Sequence, residues 1–171
     1  MKGQELLSIV KHFRMHFELL CRRYAKFKSI PKLNNKEIDL ITYLDIIVVQ
    51  IRALCIERQD LKKNYTAQNL LRIIGRDDLA QRIDTMLDTP FFHHRQEITT
   101  RCALKTLADK FICHYDSFDE EEFVISTMIE SQLCNPYEDI NLQSIMKVIV
   151  DCIGEGLSTE AIMKAYGDFE D

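Results

Sequence analysis

Glycine and proline are rare in this chain, whose 171 residues include five glycines and three prolines. Both residues interrupt regular secondary structure, and turn-rich β-sandwiches and barrels need many of them. Their scarcity favours long helices. Apolar residues make up 46% of the chain, a normal share for a globular protein, and this length can bury a core without disulfides or metals.

The segment at about residues 4–28 has the spacing of an amphipathic helix. Its apolar residues recur by four and three, which places them along one face. The other faces are largely basic, and Pro31 ends the predicted helix because proline cannot continue the hydrogen-bond ladder. The stripe consists of Leu6, Val10, Phe13, Phe17, Leu20, Tyr24 and Phe27.

A second predicted helix, at about 36–59, is apolar nearly all round, which is typical of the centre of a bundle or of a dimer interface. Asp45, Gln50 and Arg52 interrupt it. Asp45 and Arg52 are seven residues apart and so share a face, and buried charges require partners. We expect either a structural ion pair or a polar network under an active site or a dimer seam.

Six shorter helices complete the pattern. Thr66 or a neighbour is expected to cap the first of them and Gly75 to end it, and Ser158 is a good N-cap for the last. Threonine and serine suit N-caps, and glycine suits a C-terminal turn. The sequence predicts an all-α, single-domain helical bundle of about six to eight helices spanning 1–171. The expected ranges are about 66–74, 77–87, 95–113, 119–132, 140–153 and 158–166, with breaks at 89–92, 135–136 and 154–156.

The cysteines and the apolar runs indicate a compartment. None of the six cysteines forms a C-x-x-C pair, so they are interpreted as free thiols in a reducing cytosol. No apolar run reaches the roughly 18–20 residues that span a bilayer, and the first residues lack a signal peptide's apolar core. We therefore expect a cytoplasmic protein without a membrane segment.

Charge divides the chain unequally. Residues 1–115 hold 20 Lys and Arg against 13 Asp and Glu, a net of +7, whereas residues 116–171 hold 2 against 14, a net of −12. The acidic third is expected to pack on the basic body and neutralise part of it. It would then either restrict access to an RNA groove or offer a docking face to a basic protein partner.

A histidine closes the helix predicted at 95–113, in the stretch Asp-Lys-Phe-Ile-Cys-His-Tyr-Asp at 109–116. This stretch resembles the segment "DK-aromatic-x-A-H-x-D" of the HEPN superfamily, and within it of the AbiU2-like proteins of bacterial defence systems. Residues 51–60 and 65–71 are similar to the family's long apolar helix and its "S/T-x-x-x-L-L" helix. The HEPN-like part would cover about 36–116, followed by acidic helices at 117–171.

That resemblance implies a helical bundle, often a homodimer, and in active members a metal-independent RNA endonuclease with an Arg-polar-x4-6-His motif. His114 would be the general acid/base, with Lys110 nearby as a cation. The sequence departs from the motif where the arginine is expected, since those positions hold Leu107, Ala108 and Asp109. Two hypotheses therefore stay open: a toxin-like ribonuclease, or a non-catalytic module that acts through dimerisation and partner or RNA binding.

Other residues complete the candidate set. RNA phosphates would contact exposed cations, and the polar network would hold the end of the key helix. His12 and His16 have i,i+4 spacing but lack further ligands, so neither a metal site nor a cofactor is expected. The RNA-binding candidates are Arg22, Arg23, Lys26, Lys28 and Lys105, and the network candidates are Asp45, Arg52, Asp109 and Asp116.

Overall fold

A computed structural model describes residues 3–30, 37–57, 65–113 and 120–167. Across these residues the fold is all-α, with eight helices and one small hairpin, which confirms the predicted class. A π-helical turn, Arg52–Ile56, extends the second helix. The elements are α1 Gly3–Ser29, α2 Glu37–Ile51, α3 Ala67–Ile73, α4 Asp77–Asp88, β1 Pro90–Phe92, β2 Arg95–Thr99, α5 Thr100–Cys113, α6 Glu120–Cys134, α7 Leu142–Gly156 and α8 Thr159–Gly167.

The apolar stripe of α1 faces the core as its spacing predicts. Leu6, Val10, Phe13 and Leu20 are buried, and the other three stripe residues are partly buried against the same cluster. Alternation by four and three keeps a stripe on one side of a helix with 3.6 residues per turn. The other side of α1 carries charged residues together with the exposed apolar residues Leu7, Met15 and Leu19.

Helix α2 packs against α1 and α5, but it is not buried all round. Leu44, Ile47 and Ile51 are fully buried, whereas Ile41 and Ile46 remain 43% and 36% exposed. The α-helix also ends earlier than predicted. From Arg52 the backbone forms a π-helical turn, closed by the Glu57 N–H donating to the Arg52 carbonyl at 2.9 Å.

The break predicted at 89–92 is confirmed, since α4 ends at Asp88, but the helix predicted from 95 is wrong. Pro90–Phe92 pairs antiparallel with Arg95–Thr99, and α5 begins only at Thr100. Phe91 is buried and anchors the hairpin, while the Thr100 N–H donates to the Thr89 carbonyl at 2.9 Å. Ile98 therefore lies in a strand, and Cys102, near the start of α5, is exposed.

The two glycines expected to separate the last helices lie inside α7 instead. Gly156 packs so closely on the side chains of Leu71 and Leu79 that a larger residue has no room, so glycine serves packing here and does not break the helix. The helix ends at Gly156, and Leu157 is its C-cap. Ser158 caps α8 as predicted, accepting a hydrogen bond from the Ala161 N–H at 3.2 Å.

One buried apolar cluster draws residues from every helix and from the hairpin. α7 packs against α4, and α8 packs against α1, so part of the acidic third lies on the basic body as expected. Arg76 of the basic body forms an ion pair with Glu155 of the acidic third at 2.6 Å. Among the helices described, none is both long and apolar enough for a membrane span.

Candidate functional site

The predicted catalytic residues lie at and beyond the C-terminal end of α5. His114 and Asp116 are outside the described residues, and of Lys110 only the backbone is described. Their catalytic roles therefore stay predictions. Asp109, one turn before the end of α5, is the last residue of this region with a described side chain, and its partners define the local electrostatics.

Asp109 is paired with an arginine from another part of the chain. The guanidinium of Arg52, at the start of the π-helical turn, forms an ion pair with the Asp109 carboxylate. Arg52 Nε also lies 3.4 Å from Glu57 Oε1. The three side chains are about one quarter to two fifths exposed, so solvent reaches the cluster. π-Helical turns occur often at functional sites.

The predicted pair of Asp45 with Arg52 is not formed among the described residues. Seven residues of helix separate the two by about 10 Å along the axis, which is too far for direct contact although they share a face. Arg52 reaches across to α5 instead. The Asp45 Oδ1 atom is buried without a hydrogen-bond partner in the described structure.

Asp45 is electrostatically coupled to Glu130 of α6, a residue that the sequence did not single out. Glu130 Oε1 is likewise buried without a hydrogen-bond partner among the described residues. Burial raises the pKa of Asp45. Burial also raises the pKa of Glu130, and the negative charge of Asp45 raises it further. No local sequence pattern predicts this coupling, because it depends on where α6 packs.

A second polar cluster ties three helices together through hydrogen bonds to one carboxylate. The Asp84 carboxylate of α4 accepts hydrogen bonds from Arg72 at 2.5 Å, Gln68 at 3.1 Å and Arg101 at 3.3 Å. Gln68 also donates to the carbonyl of Cys55 at 2.9 Å. Burial alone would raise the pKa of Asp84, but these donors together lower it below the ordinary value. The Asp84 carboxylate is thus held by three donors of its own chain, which is typical of a structural role, while Gln68 Oε1 is buried without a hydrogen-bond partner among the described residues.

Four of the predicted RNA-binding cations lie in the last two turns of α1, and Arg22 and Lys26 among them are on the same side of the helix. We call Arg22, Arg23, Lys26 and Lys28 the α1 basic face. None of them has an ion pair within the described part of the chain, in contrast to Arg52, Arg72, Arg76 and Arg101. Arg22, Lys26 and Lys28 are exposed, and Lys28 Nζ lies 5.7 Å from the centre of the Tyr24 ring.

Lys105, the fifth predicted phosphate contact, is exposed on α5 and belongs to a different helix from the α1 basic face. His12 and His16 lie 6.3 Å apart between ring centres. With Tyr65 they line a cleft of about 400 Å³ between α1 and the π-helical turn. Within the described ranges, no three His, Cys, Asp or Glu side chains are grouped to hold a metal ion.

Comparisons of the chain with protein-family models, with curated proteins and with solved structures found no match.

Proposed function

We propose that this chain is a HEPN-like helical module that binds RNA through the α1 basic face and acts with a second copy or a protein partner. The setting implied by the sequence resemblance is bacterial defence or a toxin–antitoxin pair. The observation that carries the RNA-binding proposal is the contrast between two groups of cations. The arginines at the π-helical turn, in α3, at the N-cap of α4 and in α5 are neutralised by carboxylates, whereas the four cations of the α1 basic face, all within residues 22–28, have no ion pair among the described residues.

The arrangement of the α1 basic face suits a polyanion. Arg22 and Lys26 are one helical turn apart and both exposed, so the two charges point to the same side. Cations without internal ion pairs can contact phosphates without first breaking such pairs, and each contact releases counterions from the nucleic acid. The aromatic residues Tyr24 and Phe27 are partly buried against the core, so the charges are the groups available to RNA.

The test is the salt dependence of RNA binding. We expect single-stranded RNA to bind the wild-type chain in fluorescence anisotropy, with an affinity that falls as salt rises. Replacing Arg22 and Lys26 together by alanine removes two phosphate contacts, which should reduce the slope of log K against log salt by about 1.4. No binding by the wild type, or an unchanged slope in the variant, would contradict the proposal.

A matched control uses cations that lie elsewhere. Arg82 of α4 and Lys147 of α7 are also exposed and have no ion pair among the described residues. Their double alanine variant changes the net charge by the same amount as the Arg22 and Lys26 variant. Because these cations lie outside the α1 basic face, this variant should keep the wild-type salt slope.

A second candidate function is metal-independent RNA cleavage with His114 as the general acid/base. Its support is the pair of Arg52 with Asp109, a residue that occupies one of the positions where the motif expects arginine. The guanidinium of Arg52, in the π-helical turn, thus lies near a position where the motif expects an arginine. There it would stabilise charge on the scissile phosphate while the RNA 2′-oxygen bonds to phosphorus and the bond from phosphorus to the 5′-oxygen breaks. The histidine would take the proton of the 2′-hydroxyl and deliver it to the leaving 5′-oxygen, which gives a 2′,3′-cyclic phosphate and a 5′-hydroxyl.

Cleavage is tested with purified protein and mixed RNA at low salt with a metal chelator present. We expect activity that is lost in His114→Ala and reduced at least tenfold in Arg52→Ala, while Arg95→Ala, an exposed arginine of the hairpin, serves as the control. Thermal unfolding of each variant separates loss of function from loss of fold. Equal cleavage by wild type and His114→Ala, or none by either, would leave RNA binding without catalysis.

A further inference from the structure

Two exposed apolar surfaces with opposite charged rims lie on this chain. The first is a groove of about 780 Å³ between α1 and α8. Its exposed apolar residues are Leu7, Met15 and Met163, at 44%, 55% and 61% exposure, which is high for side chains of this kind. Arg14 of α1 donates a hydrogen bond to Thr159 Oγ1 of α8 at 3.2 Å, so a defined contact links the two helices that form the groove. We call this surface the α1–α8 groove.

The charged lining of the α1–α8 groove is mainly basic. Lys11, Arg14 and His12 line it together with one carboxylate, Glu18. Methionine side chains are flexible and polarisable, and they suit the surface on which a helix docks. The groove therefore calls for an apolar helix face with acidic flanks.

The second surface is the outer face of α6. Phe123, Val124 and Met128 are 55%, 54% and 43% exposed, and they border a shallow hollow of about 500 Å³ beside Phe92. The helix begins with three glutamates at 120–122 and contains no lysine or arginine. We call this surface the α6 face. It has the apolar and acidic character that the α1–α8 groove calls for.

We infer that the α6 face of one copy docks into the α1–α8 groove of a second copy. Met163 and Met15 would contact Val124 and Met128, and the glutamates at 120–122 would lie near Lys11 and Arg14. Both surfaces belong to the same chain, so two copies related by a twofold axis would exchange the contact reciprocally. This inference names the surfaces used by the second copy in the proposed function, and it does not depend on RNA.

The first test is molecular mass in solution without RNA. Sedimentation velocity and light scattering of the wild type at increasing concentration should give at least two chains per particle. Met163→Asp in the groove and Met128→Asp on the α6 face should each weaken association about tenfold. Val150→Asp, which alters an exposed apolar residue of α7 outside both surfaces, should leave the mass unchanged. A wild-type monomer at all concentrations would overturn the inference.

A charge exchange then tests whether the two surfaces meet each other. Lys11→Glu makes the groove more acidic, and Glu120→Lys makes the α6 face more basic, so each variant alone should associate about threefold more weakly at low salt. Mixing the two variants restores opposite charges at both reciprocal contacts and should return the wild-type association constant. Mixtures no stronger than either variant would reject this pairing. The RNA-binding slope of the α1 basic face is measured separately, so the two proposals fail independently.

Discussion

Gly154 and Gly156 occupy the same last turn of α7 but differ in what surrounds them. A methyl group on Gly156 would meet the side chain of Leu71 and lie 2.9 Å from Leu79 Cδ1, whereas one on Gly154 would meet nothing within 4 Å. We expect Gly156→Ala to lower the free energy of unfolding by about 1–3 kcal/mol through overpacking. Gly154→Ala should raise it by about 0.5–1 kcal/mol, since alanine favours helix over glycine.

Urea unfolding of the two variants checks this prediction, and each serves as the control of the other. Equal effects of the same sign would show that helix propensity alone, and not the contact with α3 and α4, determines how alanine at position 156 changes the free energy of unfolding.

Asp84 shows how one partnered carboxylate makes stability depend on pH. Its folded-state pKa is lowered, so its contribution is fully present above the unfolded value of about 3.8 and is lost as pH falls through the folded pKa. Asp84→Asn should therefore cost about 2 kcal/mol at pH 7 and progressively less below pH 3.8. Urea unfolding of both proteins between pH 2.5 and 7 measures the difference. A difference independent of pH would contradict the role of the charge.

At the scale of elements, α2 and α6 contribute a pair of carboxyl groups, Asp45 and Glu130, that repel each other. Their effect on stability changes with pH in the opposite direction to that of Asp84. The folded-state pKa values of Asp45 and Glu130 are raised, so protonation favours the folded state and ionisation disfavours it. Stability should decline as pH rises from the unfolded values near 4 through the raised folded values. The pair would thus be one place where the fold is weaker at neutral pH than in mild acid.

Neutral analogues test this coupling. We expect Asp45→Asn and Glu130→Gln each to raise the melting temperature at pH 7 and to raise it less at pH 4, because lower pH protonates more of the wild-type carboxyls. The double variant should gain less than the sum of the two single variants, because each removes the same repulsion. Glu138→Gln, a partly buried glutamate outside this pair, is the control. A loss of stability at pH 7 in both variants would contradict the prediction.

At the scale of the whole molecule, the acidic third is part of the core as well as a source of charge. Leu157 and Ile162 are buried, and Glu155 is paired with Arg76, so deleting residues 155–171 would remove core residues as well as acidic ones. Charge and packing are separated better by substitution. If the acidic third shields the basic body, Glu155→Gln combined with Glu160→Gln should raise RNA affinity about threefold at low salt.

Anisotropy titrations at two salt concentrations check this prediction, because the gain should disappear at high salt. Gln143→Ala, on the exposed side of α7, leaves the charge unchanged and should bind RNA as the wild type does. An affinity equal to the wild type at low salt would reject the shielding role.

Local patterns in the sequence were enough to predict the helical class, the stripe of α1 and the caps at Thr66 and Ser158. Each depends on periodicity or on a hydrogen bond within three residues, so it is written in consecutive residues. The cations of α1 could be named for the same reason. The catalytic prediction at His114 stays a prediction.

Tertiary structure decided what long-range packing controls. The hairpin at 90–99 is anchored by the buried Phe91. Gly156 lies in the last turn of α7, where side chains of α3 and α4 pack against it. Arg52 pairs with Asp109 of a distant helix and not with Asp45. Periodicity shows which residues share a face, but it does not show which element will cover that face. The partner of a charge, and thus its pKa and its availability to a ligand, is set only when the helices pack.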